Sequence, residues 1–168
     1  MARFFKAKLY NTSVDSGTTD AAVADKLTDS AQTNFLATVS IGDYVVAAGV
    51  VYTVTAVDSN TVLSVTGGGV PDATAYTIYA GDVYTERMFS TENIIYTVRT
   101  DEYNTDLVYK HEAAANLLTF THPSDATSEY VVDTLNNLLS DVHSGKTYPN
   151  VVSSFVPEVV LVKGVLST

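Results

Sequence analysis

The stretch from Gly42 to Gly69, GDYVVAAGVVYTVTAVDSNTVLSVTGGG, limits what this chain can fold into more than any other. Apolar runs of four to eight residues follow one another with turn residues between them and hardly a charge. DYVVA reads as a strand entered through a Gly42-Asp43 turn. In VVYTVTAV, Val51, Thr53 and Thr55 alternate with Tyr52, Val54 and Ala56, the period of a pleated strand with two distinct faces. Asp58-Ser59-Asn60 is a turn, because short polar side chains bond their own backbone and tolerate left-handed φ. TVLSV is a third strand, the glycines and Pro71-Asp72 end it, and TAYTIYA is a fourth. Short strands at this spacing build a small antiparallel barrel or sandwich.

Before this stretch, RFFKAKLY within Ala2–Tyr10 alternates basic and apolar residues and predicts a first strand. Asn11 to Phe35 is polar and predicts a long loop, with one helical turn near Ala21–Leu27. That loop is either an interface or a surface excursion packed by Val23, Leu27 and Phe35. After it, NIIYTVRT, DLVYKHE and NLLTFTH predict three strands. A short helix over Glu112 to Leu117 competes with the last hairpin, since alanine is a poor turn residue. Pro123 stops the strand, Ser124 or Asp125 caps a helix near 125–144, and Val131, Leu135, Leu138 and Val142 form its apolar stripe. EVVLVKGV is a last strand. The fold class is therefore mainly β, α+β overall. It divides into a β-rich barrel or sandwich lobe over residues 1–90, with an N-terminal arm and long loop, and a β-β-β-α-β lobe over 91–168. The boundary falls near Gly81 to Thr91.

Among 168 residues the formal net charge is −10. A polyanion meets a repulsive field, which argues against direct nucleic-acid binding. Arg3, Lys6 and Lys8 are three of the nine basic residues, all within the first eight positions. That arrangement suits the strand just described, or a basic arm docking on an acidic neighbour. With no cysteine, disulfides, thiol catalysis and cysteine-based zinc sites are excluded. No apolar run reaches the ~18 residues of a membrane-spanning helix, so no membrane partner is expected. The basic N-terminus leads into no apolar core, so export by a signal peptide is not expected.

Catalytic patterns fail one by one. HEAAA at His111 begins like a zinc-protease helix but has Ala115 where the second ligand belongs. His122 precedes a proline at a strand end, and His143 falls in the last turn of the expected helix. There is no G-x-S-x-G elbow. TGGGV at Thr66 has the glycines of a phosphate cradle without the lysine, and it ends a hairpin. Asp101, Glu102 and Asp106 cluster in a loop that is either solvated or a weak calcium site. The expectation is a protein without enzymatic activity, cofactor or metal. Tyrosine is the frequent aromatic, suited equally to strands and to interfaces.

The run ADKLTDSAQTNFLATVSIGDYVVAAGVVYTVTAVDSNTVLSVTGGGVPDATAYTIY covers about a third of the chain. It resembles a module of tailed-bacteriophage virion proteins, especially of marine and cyanobacterial phages. The residues that carry the likeness are Leu27, Asp29, Ser30 and Phe35, then Val39, Gly42, Asp43 and Val45. Thr53 to Ser59, Thr61, Leu63, Tyr76 and Ile78 complete it. LTFTHPSD, the amphipathic helix and PEVVLVKGV add a fainter likeness to small phage structural proteins. The resemblance implies a virion protein made in the host cytoplasm, without active site. The role it implies first is a head decoration or cement protein, and second a neck, tail or baseplate component. Its partners would be other virion proteins and further copies of itself in a symmetric assembly. The expected interface comprises Arg3, Phe4, Phe5, Lys6, Lys8 and Tyr10 in the arm, with Tyr103 and Tyr109. A virion-displayed enzyme or a carbohydrate-binding module is the competing class, the latter using Tyr103 and Tyr109 as a platform.

Overall fold

The computed structural model describes residues 4–90, 94–101, 104–111, 114–122, 132–133, 135–136, 151–152, 158–159 and 161–163. The protein is mainly β, with 49% of it in strands and one sheet curled into a half-barrel. The chain forms two units, Tyr10–Tyr84 and the combination of Met1–Leu9 with Thr85–Thr168. The first nine residues therefore belong with the C-terminal half, not with the half-barrel. Hydrogen bonding explains this: β1 (Phe4–Leu9) pairs antiparallel with β8 (Thr85–Ser90), from Phe4 opposite Ser90 to Leu9 opposite Thr85.

The half-barrel is one six-stranded sheet in the order β2-β7-β4-β5-β6-β3. Its strands are β2 (Ser13–Thr18), β3 (Lys26–Thr28), β4 (Tyr44–Ala47), β5 (Val50–Val57), β6 (Val62–Val65) and β7 (Ala75–Tyr79). All neighbours are antiparallel. Alternation sets the faces: Val45 and Ala47 of β4, Leu63 and Val65 of β6, and Tyr76 and Ile78 of β7 point inward and are buried. They meet Leu27, Phe35, Val39, Tyr52, Val54 and Val70 in one core. A two-residue turn, Ala48-Gly49, joins β4 to β5 with φ of 51° and 83°. Two successive positive φ values give the mirror-image turn whose twist matches the strands, and Gly49 adopts its half without strain.

Asn11 to Asn34 is not a loop. It contains β2, β3 and a bridge from Ala21 to Thr28, and no helical turn lies at 21–27. The helical turn is instead α1 (Phe35–Thr38). Leu27 and Phe35 are fully buried as expected, whereas Val23 is 43% exposed and packs nothing comparable. Polar Ser13–Thr18 becomes a strand because β7 supplies a ladder for it.

In the other unit, β9 (Ile94–Arg99), β10 (Asn104–His111), β11 (Ala114–Thr121) and β14 (Leu161–Lys163) form a sheet in the order β14-β11-β10-β9. β10 and β11 pair from Asn104 opposite Thr121 to His111 opposite Ala114. This excludes the helix over Glu112 to Leu117, since Ala114 to Leu117 lie in β11. The second sheet centres on β1. β8 takes one edge, while β12 (Val151–Val152) and β13 (Glu158–Val159) pair with it in parallel at Phe4-Phe5 and Lys8-Leu9. The expected last strand is thus divided between two sheets, β13 with β1 and β14 with β11. Residues 132, 133, 135 and 136 are helical, and the rest of the helix expected at 125–144 lies outside the described residues.

Candidate functional site

Asp43, the acidic residue of the Gly-Asp pair, is 4% exposed. Its N–H donates to the Ser40 carbonyl at 3.1 Å, closing a four-residue turn with Gly42 at φ 97°. Its carboxylate accepts the Ser40 N–H at 2.8 Å on one oxygen and the Gly81 N–H at 2.9 Å on the other. A Cβ on Gly81 would lie 1.9 Å from the Gly42 carbonyl oxygen, so the backbone approaches that closely only at glycine. The Gly-Asp pair therefore clasps the end of β7 to the start of β4.

A second group gathers around Asp29, just after β3, and Asp15 on β2. Asp29, 3% exposed, accepts the Ala31 N–H at 3.0 Å and the Tyr76 hydroxyl at 2.8 Å. Burial, then the bond to Asp29, pushes the Tyr76 hydroxyl above its ordinary pKa. Asp15 accepts from Gln32 Nε2 at 3.0 Å, the Ser16 N–H at 2.8 Å and Thr38 Oγ1 at 2.7 Å. Both carboxylates are thus occupied by donors from their own unit.

Lys26, Asp58 and Ser64 make the one constellation that looks nucleophilic among the described residues. Lys26 Nζ donates to Ser64 Oγ at 2.6 Å and to Asp58 Oδ2 at 2.8 Å, and Ser64 Oγ donates to the same Oδ2 at 2.8 Å. The Lys26 contact, then Ser64, holds the Asp58 carboxyl below the usual carboxylate range. A serine nucleophile needs a base with a free lone pair. Here the ammonium is the donor and the serine proton already points at a carboxylate, so the trio is a cross-strand clamp between β3 and β6.

In the other unit, Asp101 accepts the Asn104 N–H at 2.9 Å and both contacts from Asn104 Nδ2 at 2.8 Å. Asp106 is 9% exposed on β10 and accepts Thr119 Oγ1 from β11 at 2.6 Å. Glu102 lies outside the described residues. No group of three or more His, Asp or Glu positioned for a metal occurs among the described residues. His122 is fully buried at the end of β11, with Nε2 3.1 Å from Thr105 Oγ1 and its ring edge-on to Phe120. Gly67 and Gly68 have left-handed φ in a hairpin end, which leads to β7 and not to a phosphate-facing helix.

No protein-family model matches the chain, and no curated protein matches it significantly.

Of the expected interface, Arg3 and Tyr103 lie outside the described residues. Phe4, Phe5 and Lys6 are in β1 and Tyr109 in β10. Lys8 is half-buried in β1, whose two edges are paired along the chain itself. Tyr10 is 5% exposed, its ring edge-on to Tyr44 at 5.1 Å and tilted against Tyr84 at 5.7 Å. Tyr10 is a packing residue within the half-barrel unit, not an open contact. Sequence reasoning missed the roles of Asp15, Gln32 and Asn136, which cap strands. The signal for them is spatial: Gln32 and Asn136 reach strands distant in the sequence, and Asp15 gathers donors from Gln32 and Thr38.

Proposed function

We propose that this chain is a structural protein of a tailed-phage virion, with head decoration or cementing as its role. The reading starts from the resemblance carried by Ala24 to Tyr79. The observation that carries it further is the use that stretch makes of its acidic side chains: Asp29, Asp43 and Asp58 all hold its own turns and strands. Residues arranged to shape a module favour a building block over a catalyst. A neck, tail or baseplate component would use the same module.

Because β1 is hydrogen-bonded on both edges, it meets a neighbour through side chains and not as an added strand. Deleting it would remove the partner of β8, β12 and β13, so charge reversal is the cleaner probe. Mass spectrometry of purified virions with copy counting tests the reading. Hundreds of copies per particle are expected for decoration; six to twelve assign the neck or tail, and absence from particles overturns the proposal. Replacing Arg3, Lys6 and Lys8 together with glutamate is expected to abolish incorporation while the protein stays folded. Undiminished incorporation removes the basic segment from the mechanism.

A further inference from the structure

Open sheets end in strands with unpaired backbone groups, ready templates for another chain. β9 is the terminal strand of its sheet and β2 the terminal strand of the half-barrel, among the described residues. The Thr100 N–H bonds the Asn104 carbonyl at 2.9 Å. Pairs in an antiparallel ladder alternate between bonded and non-bonded, so Thr97, opposite Leu107, turns its N–H and C=O away from β10. Asn136 meets both. Its Oδ1 accepts the Thr97 N–H at 3.3 Å and Thr97 Oγ1 at 2.7 Å, and its Nδ2 donates to the Thr97 carbonyl at 3.3 Å. The side-chain amide imitates the peptide group that a further strand would present.

The edge of the half-barrel repeats the device with other residues. The Thr19 N–H bonds the Thr74 carbonyl at 3.0 Å, so by the same alternation Ser16 faces outward from β7. Its carbonyl accepts Gln32 Nε2 at 2.9 Å, and its N–H donates to Asp15 Oδ1 at 2.8 Å. A register shift between Ser13 and Asp15 bends the strand just beyond.

We propose that Asn136 is an edge guard: it holds the β9 edge closed to strand addition by a second copy of this chain, as Gln32 and Asp15 do for β2. The occupant follows from geometry. Two copies of β9 laid antiparallel about a two-fold axis satisfy each other's outward groups, and the exposed Val98 side chains, 43% exposed, gain cover in the same step. The proposal is independent of the virion reading, since it concerns what the chain does in solution.

The test compares mass against concentration, by light scattering after size exclusion, for the full chain and for Asn136→Ala. Circular dichroism confirms the fold of each. The variant is expected to self-associate at roughly tenfold lower concentration, the factor for one to two hydrogen bonds. Adding Val98→Lys to it sets like charges against each other across the paired edges and is expected to restore the parent curve. Should Asn136→Ala not fold, Thr97→Val removes only the hydroxyl contact and is expected to shift the curve in the same direction by less. A folded Asn136→Ala or Thr97→Val protein with the parent's curve overturns the proposal. So does association that Val98→Lys leaves untouched.

Discussion

Replacing Asp43 with alanine separates a structural carboxylate from a functional one. The side chain is 4% exposed and accepts two backbone N–H groups, from Ser40 at 2.8 Å and Gly81 at 2.9 Å. Alanine leaves both donors without this acceptor, and the Gly42–Gly81 contact admits little water. An unsatisfied buried donor costs about 1–3 kcal/mol, so the pair is worth roughly 3–5 kcal/mol together. A unit the length of Tyr10–Tyr84 has a total stability of roughly 4–11 kcal/mol. The substitution thus removes a large part of it. In urea the midpoint of the half-barrel transition is expected to fall by roughly 2 M, for a slope of about 1.5–2 kcal/mol/M. Asp43→Asn keeps one acceptor and turns an NH2 group toward the other donor, so its loss is smaller, about 2 kcal/mol. A carboxylate kept for a ligand behaves oppositely, because binding groups are held at a cost in stability. A loss below about 1 kcal/mol in Asp43→Ala, or a gain, refutes the clasp.

Ala48 occupies a left-handed position at φ 51° without the side-chain compensation that asparagine has there; Ala48→Asn is expected to stabilise by about 0.5–1 kcal/mol, read as a higher thermal midpoint. The raised pKa of Tyr76 means its contribution is complete below about pH 10, the unfolded value, and is lost as pH rises through the higher folded value. Tyr76→Phe is therefore expected to flatten the alkaline limb of stability against pH, and an unchanged limb assigns that loss elsewhere. Asp58 has the opposite sign: its lowered pKa contributes above about pH 4 and is lost as pH falls through the folded value, so Asp58→Asn is expected to flatten the acid limb slightly, as suits an exposed pair. Phe35→Ala in the full chain is expected to lower hydrogen-exchange protection across Tyr10–Tyr84 by about 3–5 kcal/mol while β9 to β11 keep theirs; equal losses in both would show the units unfold as one.

Strands β4 to β7 were legible because two signals agree there. Val45, Val54, Leu63 and Ile78 sit at the inward step of an alternation, and each run is bounded by residues with a mechanism for turning. β2 was not legible: Ser13–Thr18 has one apolar residue, Val14, and its strand state depends on β7, some sixty residues on. β8 was hidden for the same reason, since Glu86 and Arg87 break the apolar pattern and distant β1 supplies the ladder. The edge guards were the least legible. Gln32 and Asn136 carry no pattern, and their meaning appears only when Ser16 and Thr97 stand beside them. Local rules thus recovered what is local, and long-range pairing decided the rest.

The connectivity changes what the resemblance can speak for. Leu9 stands opposite Thr85, where a tight turn would suffice to join β1 and β8. Instead the chain leaves at Tyr10, builds the half-barrel and returns at Tyr84, and the two tyrosine rings lie 5.7 Å apart. A unit whose ends meet this closely can be accommodated in a hairpin without stretching it. The run on which the virion proposal rests, Ala24 to Tyr79, falls wholly inside that insert. So does most of the net negative charge: Tyr10–Tyr84 holds eight aspartates and one lysine, net −7 of the chain's −10. Arg3, Lys6 and Lys8 belong to the host unit. The virion proposal therefore concerns the insert, while the basic segment belongs to the unit that carries it. An acidic insert and a basic first strand need not share a partner, so losing one contact should leave the other measurable. Charge reversal at the first strand and disruption of the half-barrel core through Phe35 then address different surfaces. Their effects on incorporation should add in free energy if the two units bind separately, and fall short of adding if they bind as one.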